Sequence, residues 1–92
     1  EGVSYQKTLL IISDNHQAIR DKIINNLQRG GTIFQGKGLY QNNDKSMIFT
    51  VVNRREFSIL KDYIRDIDPN AFLTVIDANE IIGKGFKPIE EA

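Results

Sequence analysis

The 92-residue chain is 40% hydrophobic and 26% charged, a balance that fits one small globular domain and argues against disorder. Twelve basic residues offset twelve acidic ones, so the net basic footprint of a general polyanion binder is missing. The absence of cysteine excludes a disulfide framework and a thiolate metal site, and no apolar run nears the roughly 20 residues that span a bilayer.

Residues 1–6 are expected to be a linking start, 7–86 the domain proper and 87–92 a tail. A start at Glu1 rather than Met points to a piece processed or cut from something longer. Lys7 to Ser13 (KTLLIIS) carries four consecutive aliphatics, right for a strand covered on both faces. A helix follows from Asp14 to Gln28. Asp14 and Gln17 have capping-box spacing, and Ile19, Ile23 and Leu27 form an apolar stripe that Ile24 widens. Gly30 is placed to take the left-handed conformation that closes this helix.

Thr32 to Lys37 reads as an edge strand and Lys45 to Val52 (KSMIFTVV) as a third strand, apolar on both faces. Asn53 and Glu56 make a second capping box. Phe57, Leu60, Ile64 and Ile67 then run along one helix face until Asp68-Pro69-Asn70 stops it. Ala71 to Ile76 is the fourth strand. Asp77 and Glu80 have capping-box spacing over a short C-terminal helix, Ala78 to Ile82, ended by Gly83.

The order βαββαβ predicts an α+β, ferredoxin-like sandwich: a four-stranded antiparallel sheet with two helices on one face. The two most apolar strands, first and third, are expected at the centre and parallel to each other, with the second and fourth at the edges. Two helices cover one side only, so the other should present residues such as Leu10, Ile12, Ile48 and Val52, or the opposite set. A monomer rarely exposes such a patch. Self-association is the expected cover, with a lid of Ile81, Ile82 and Phe86 as the alternative. Burying about 400 Å² per subunit would be worth on the order of 10 kcal/mol before association costs.

Candidate binding residues are Gly36, Lys37, Gly38 and Tyr40 in the loop between the second and third strands, with Arg54, Arg55 and Lys84. Glycines admit backbone N–H groups to an anion, adjacent lysines supply charge, and Tyr40 offers a stacking face. Both GKG triplets are also ordinary turn chemistry, with neither Walker nor GxGxxG spacing. Arg54 and Arg55 sit at the positive end of a helix dipole, which disfavours cations by about 0.3–1 kcal/mol each unless an anion or a partner carboxylate compensates. An exposed pair matched to Asp or Glu is the plainer reading. His16 is a lone histidine, an exposed helix-face residue by default, and no cofactor motif is present. No nucleophile, base and orienting group assemble, so an enzyme is not expected.

RGGTIFQGKGLY, the apolar third strand running into NRREFSILKDYIRDIDPNAF, and the closing VIDANEIIGKGF resemble the C-terminal domain of unknown function of YitT-type bacterial membrane proteins. The likeness covers about residues 8–86, and IDPNAF and the GKG-to-Tyr loop are its most specific parts. Leu39 departs from the Gly that GKGGY would have, which stiffens the loop. The resemblance implies a domain on the cytoplasmic side, following several transmembrane helices, without established activity. Its element order is similar to that of PII-like signalling proteins and ACT domains. These oligomerise and bind small effectors between subunits, and in the PII group the loop after the second strand responds to the effector.

By that analogy the chain is expected to be a regulatory, ligand-sensing domain. Copies would form a dimer or trimer and hold a small anionic metabolite or nucleotide between subunits. The alternative is a ligand-free module for oligomerisation or for docking on the membrane-embedded part of its parent. RNA binding fits less well, since the third strand lacks paired stacking aromatics and the net charge is zero.

Overall fold

The fold follows from strands that are apolar on both faces and helices that are apolar on one. The computed structural model describes residues 6–78, 81–86 and 88–91. β1 (Gln6–Ile12), α1 (His16–Asp21), β2 (Thr32–Lys37), β3 (Asp44–Asn53), α2 (Arg54–Ile67) and β4 (Phe72–Ala78) follow one another along the chain, in the βαββαβ order. The sheet order is β2-β3-β1-β4, which is the ferredoxin-like α+β arrangement with the two most apolar strands in the middle.

All three strand pairs are antiparallel, so β1 and β3 run in opposite directions rather than parallel. The crossover through α1 keeps β2 in the direction of β1, and the hairpin that follows reverses β3. A parallel central pair is incompatible with that connection.

The core lies between the sheet and the helices. Leu9 and Ile11 of β1 and Ile48 and Val52 of β3 meet Ile19, Ile23, Leu60 and Ile64. Phe57 and Ile67 pack against this cluster, as the α2 stripe requires. The second capping box is present in full: Glu56 N donates to Asn53 Oδ1 (2.7 Å) and Asn53 N to Glu56 Oε1 (2.8 Å). These two bonds fix where β3 becomes α2.

The first helix departs from its expected form. Asn15, not Asp14, occupies the N-cap, and its side chain makes no cap bond. Ser13 Oγ instead accepts from Asn15 N (2.9 Å) and donates to Asp68 Oδ2 (2.6 Å), tying the loop after β1 to the loop after α2. That tie sets the helix register against the Asp14–Gln17 box. After Asp21 the helix widens into a π turn, Lys22–Asn26, where Leu27 N donates to Lys22 O. Gln28, with φ 55°, reverses the chain in place of Gly30, while Ile24 stays largely exposed outside the stripe.

β4 runs on to Ala78 and Ile82 forms a β-bridge, so the helix expected over Ala78 to Ile82 is not formed by those residues. Pairing of Asp77 and Ala78 with Lys7 and Gln6 extends the sheet there instead. The capping partner Glu80 lies outside the described residues, as do residues 1–5 of the expected linker. Among the described residues beyond β4, a 3-10 turn at Ile89–Glu91 is the helical element.

Leu60→Ala, at a fully buried position, should reduce the unfolding free energy by about 2–5 kcal/mol in urea titration. Leu39→Ala, at a fully exposed loop tip, should change it by less than about 0.5 kcal/mol.

Candidate functional site

The seven candidate residues fall at opposite ends of the sheet. β3 has ten residues, so about 30 Å separates its two ends at ~3.3 Å per residue. Gly36, Lys37, Gly38 and Tyr40 cluster at the end where the β2–β3 loop turns. Arg54 and Arg55 stand at the other end, where β3 enters α2. One subunit therefore cannot bring the loop and this arginine pair onto one small ligand.

At the loop end Lys37 pairs with Asp44 (2.5 Å) across the base of the hairpin. Gly38 N donates to Asn43 O (2.6 Å), and a side chain at Gly38 would collide with Asn43. Leu39 and Tyr40 project into solvent, which leaves the Tyr40 ring open for stacking. Beside the loop lies a polar pocket of about 290 Å³ lined by Ser13, Asp14, Asn15, Lys45, Asp68, Asn70, Ile12 and Phe72. The IDPNAF segment and the GKG loop, the most specific parts of the sequence, thus share one end of the sheet.

The opposite end holds a cleft that the sequence reading missed. After β4 the chain passes to the far side of the sheet, where Lys84, Gly85 and Phe86 face Gln28, Arg29, Gly30, Gly31, Thr32, Phe49, Thr50 and Val51 around about 500 Å³. Arg29 is held on two sides. Its Nε donates to both oxygens of the buried Glu56 (3.0 and 3.2 Å), and its guanidinium lies over the Phe86 ring, 4.6 Å from the centroid. Gly31 is required here, because a Cβ would strike the Phe49 carbonyl. The one available signal was the run Arg29-Gly30-Gly31, a cation beside two glycines just after a helix.

The open sheet face is apolar. Leu10 and Ile12 stand opposite Phe49 and Met47, and Ile76 lies beyond Thr8. Ile48 and Val52 are in the core instead, because Ile48 pairs with Ile11 and residues directly opposite share a face. The exposures that matter are Phe72 at 62%, Phe34 at 50%, Ile76 at 48% and Phe49 at 36%. Of the expected lid, Phe86 borders a cleft that Phe49 and Val51 also line, while Phe34, Phe72 and Ile76 stay exposed.

The sequence pattern of DUF2179, described as an uncharacterized protein conserved in bacteria, matches residues 29–83. The chain belongs to this family. The domain is similar to the Bacillus subtilis UPF0750 membrane protein YxkD, 36% identical over 99% of this chain and 33% of that protein. It is also similar to the UPF0750 membrane protein YitT of the same species, 29% identical over 83% of this chain and 27% of that protein. The chain thus spans about a third of the length of the curated membrane proteins it matches, and its DUF2179 domain is of the YitT type.

A crystal structure of a DUF2179 protein from Eubacterium ventriosum superposes with TM-score 0.66 and 28% identity, covering 77% of this chain and 97% of that one. A functionally unknown protein from Pediococcus pentosaceus superposes with TM-score 0.69 at 10% identity, covering 87% and 97%, which is a likeness of fold. Among the described residues no helix is long and apolar enough to cross a membrane, and no group of three or more His, Cys, Asp or Glu could hold a metal ion.

One ion pair near the α2 start titrates. Lys7 donates to Asp77, and this hydrogen bond, with the charge of Lys7 and more weakly that of Arg54, holds the Asp77 carboxyl below its ordinary value of 3.8 against a small desolvation effect. The folded value lies below the unfolded one, so the stabilisation is complete above the unfolded value and fades as pH falls through the folded value. Asp77→Asn should therefore lower the melting temperature at neutral pH, and the difference from the unsubstituted chain should shrink as acid is added and Asp77 becomes protonated in the folded state, as followed by thermal unfolding from neutral to acid pH.

Proposed function

We propose that this DUF2179 domain is the assembly and sensing module of a multi-pass membrane protein, lying on the cytoplasmic side. Copies associate through the open sheet face, and a small anionic ligand biases that association. The observation that carries the reading is the exposure of Phe34, Phe49, Phe72 and Ile76 on a face whose central residues, Leu10 and Ile12, are also apolar. Patches of this kind mark interaction surfaces. The kinship with UPF0750 membrane proteins supplies the setting.

A site formed between subunits also answers the separation of the candidate residues. Face-to-face packing with the strands of two copies reversed would bring the Gly36–Tyr40 loop of one copy towards Arg54 and Arg55 of the other. The proposed ligand class is anionic because the candidate side chains at both ends are cationic. The second reading, a docking module for the membrane-embedded part, is favoured by the chain's covering only a third of its relatives' length.

Light scattering on the eluting protein decides between them. Self-association predicts a dimer or trimer that Phe34→Glu or Phe72→Glu returns to a monomer with unchanged circular dichroism. A folded monomer at high concentration, before any substitution, would rule out self-association and leave docking.

A further inference from the structure

The cleft at the α2 end has the composition of an anion site, although only Lys84 among its residues was a sequence candidate. The chain as a whole is neutral, yet the described residues lining this cleft include two cations, Arg29 and Lys84, and no acid. Its volume of about 500 Å³ lies within the range of small-molecule sites. Three glycines line it, and Gly30 and Gly85 leave their backbone groups approachable: a Cβ at Gly30 would meet nothing within 4 Å.

Arg29 is prepared for recognition. Its Nε donates to Glu56, while Phe86 supports the plane of the guanidinium. The Nη side is turned towards the segment of Lys84, Gly85 and Phe86, with Nη1 3.8 Å from where a Gly85 Cβ would stand. A guanidinium fixed through Nε and by stacking keeps its fork for a carboxylate or phosphate with little further loss of side-chain freedom. Glu56 balances one of the two cations, leaving one net positive charge. Phe49 and Phe86 supply the apolar remainder of the wall.

We infer that this cleft binds a small anion bearing a planar or apolar body, its charge met by Arg29 and Lys84 and its body lying against Phe49 and Phe86. This adds to the sensing half of the proposed function a site within one subunit, apart from the one between subunits, and rests on that reading. Phe49 and Thr32 belong to both the cleft and the open sheet face. Glu56 links Arg29 to the cap of α2, so occupancy is felt where the two sheet faces and the helix start converge.

Titrating the 92-residue chain with benzoate, acetate and inorganic phosphate, followed by amide chemical shifts, tests the assignment. Benzoate should perturb Gly30, Gly31 and Gly85 at lower concentration than acetate or phosphate. Lys84→Glu, at an exposed position, should weaken it by about tenfold or more, whereas Lys84→Arg should retain it. Equal responses to acetate and benzoate would overturn the role of the apolar wall.

A benzoate response that survives Lys84→Glu but is lost in the Arg54→Ala, Arg55→Ala double variant would overturn the cleft while leaving ligand sensing intact. Silence from all three anions would overturn the cleft assignment and count against sensing. Light scattering on the same samples reports on assembly separately.

Discussion

Everything in this molecule depends on a sheet that is apolar on both faces while its helices can cover only one. Leu9, Ile11, Ile48 and Val52 take the helix side, where Ile19, Ile23, Leu60 and Ile64 bury them completely or nearly so. Leu10, Ile12, Met47 and Phe49 are left on the other side by the same alternation that buried their neighbours. Small domains are marginally stable because so much of their surface remains wet, and here the helix side alone provides the described core. The open side is left as exposed apolar surface.

The two ends of the sheet are built differently. At the loop end, hydrogen bonds among Ser13, Asp68 and Asn70 lock two connections together, and the hairpin loop extends beyond them with its tip in solvent. At the other end the tie is ionic and aromatic. Phe86 lies over Arg29, Arg29 binds Glu56, and Glu56 caps α2. A carboxylate as buried as Glu56 is tolerable because it accepts hydrogen bonds from a backbone amide and a guanidinium at once. Breaking that chain at Arg29 would leave a buried charge short of a partner, whereas a ligand that engages the outward fork would leave it intact.

Much of the fold was legible because the signals were local. Asn53 and Glu56 are three residues apart, and their bonds form within one turn. The stripe Phe57, Leu60, Ile64 and Ile67 needed only a 3.6-residue period. Where reading failed, a contact distant in sequence had intervened. Ser13 reached Asp68 and moved the first helix start, and pairing with β1 kept Asp77 and Ala78 extended. The candidate site was less legible still. Arg29, Lys84 and Phe86 are separated by up to 57 positions and meet only because the chain after β4 crosses the sheet.

By itself the sequence determined the order of elements, the identity of the central strands and the presence of more apolar surface than two helices can hide. Those properties are periodicities and short-range caps, which a linear chain carries intact. Only the tertiary structure decided which alternate residues face outward, because alternation defines two sets without saying which meets the helices. It also decided that the glycine loop and the arginine pair stand at opposite ends of a ten-residue strand, and that a cationic cleft closes elsewhere. Strand register and the path of the chain beyond β4 are set by long-range packing, which no local pattern encodes.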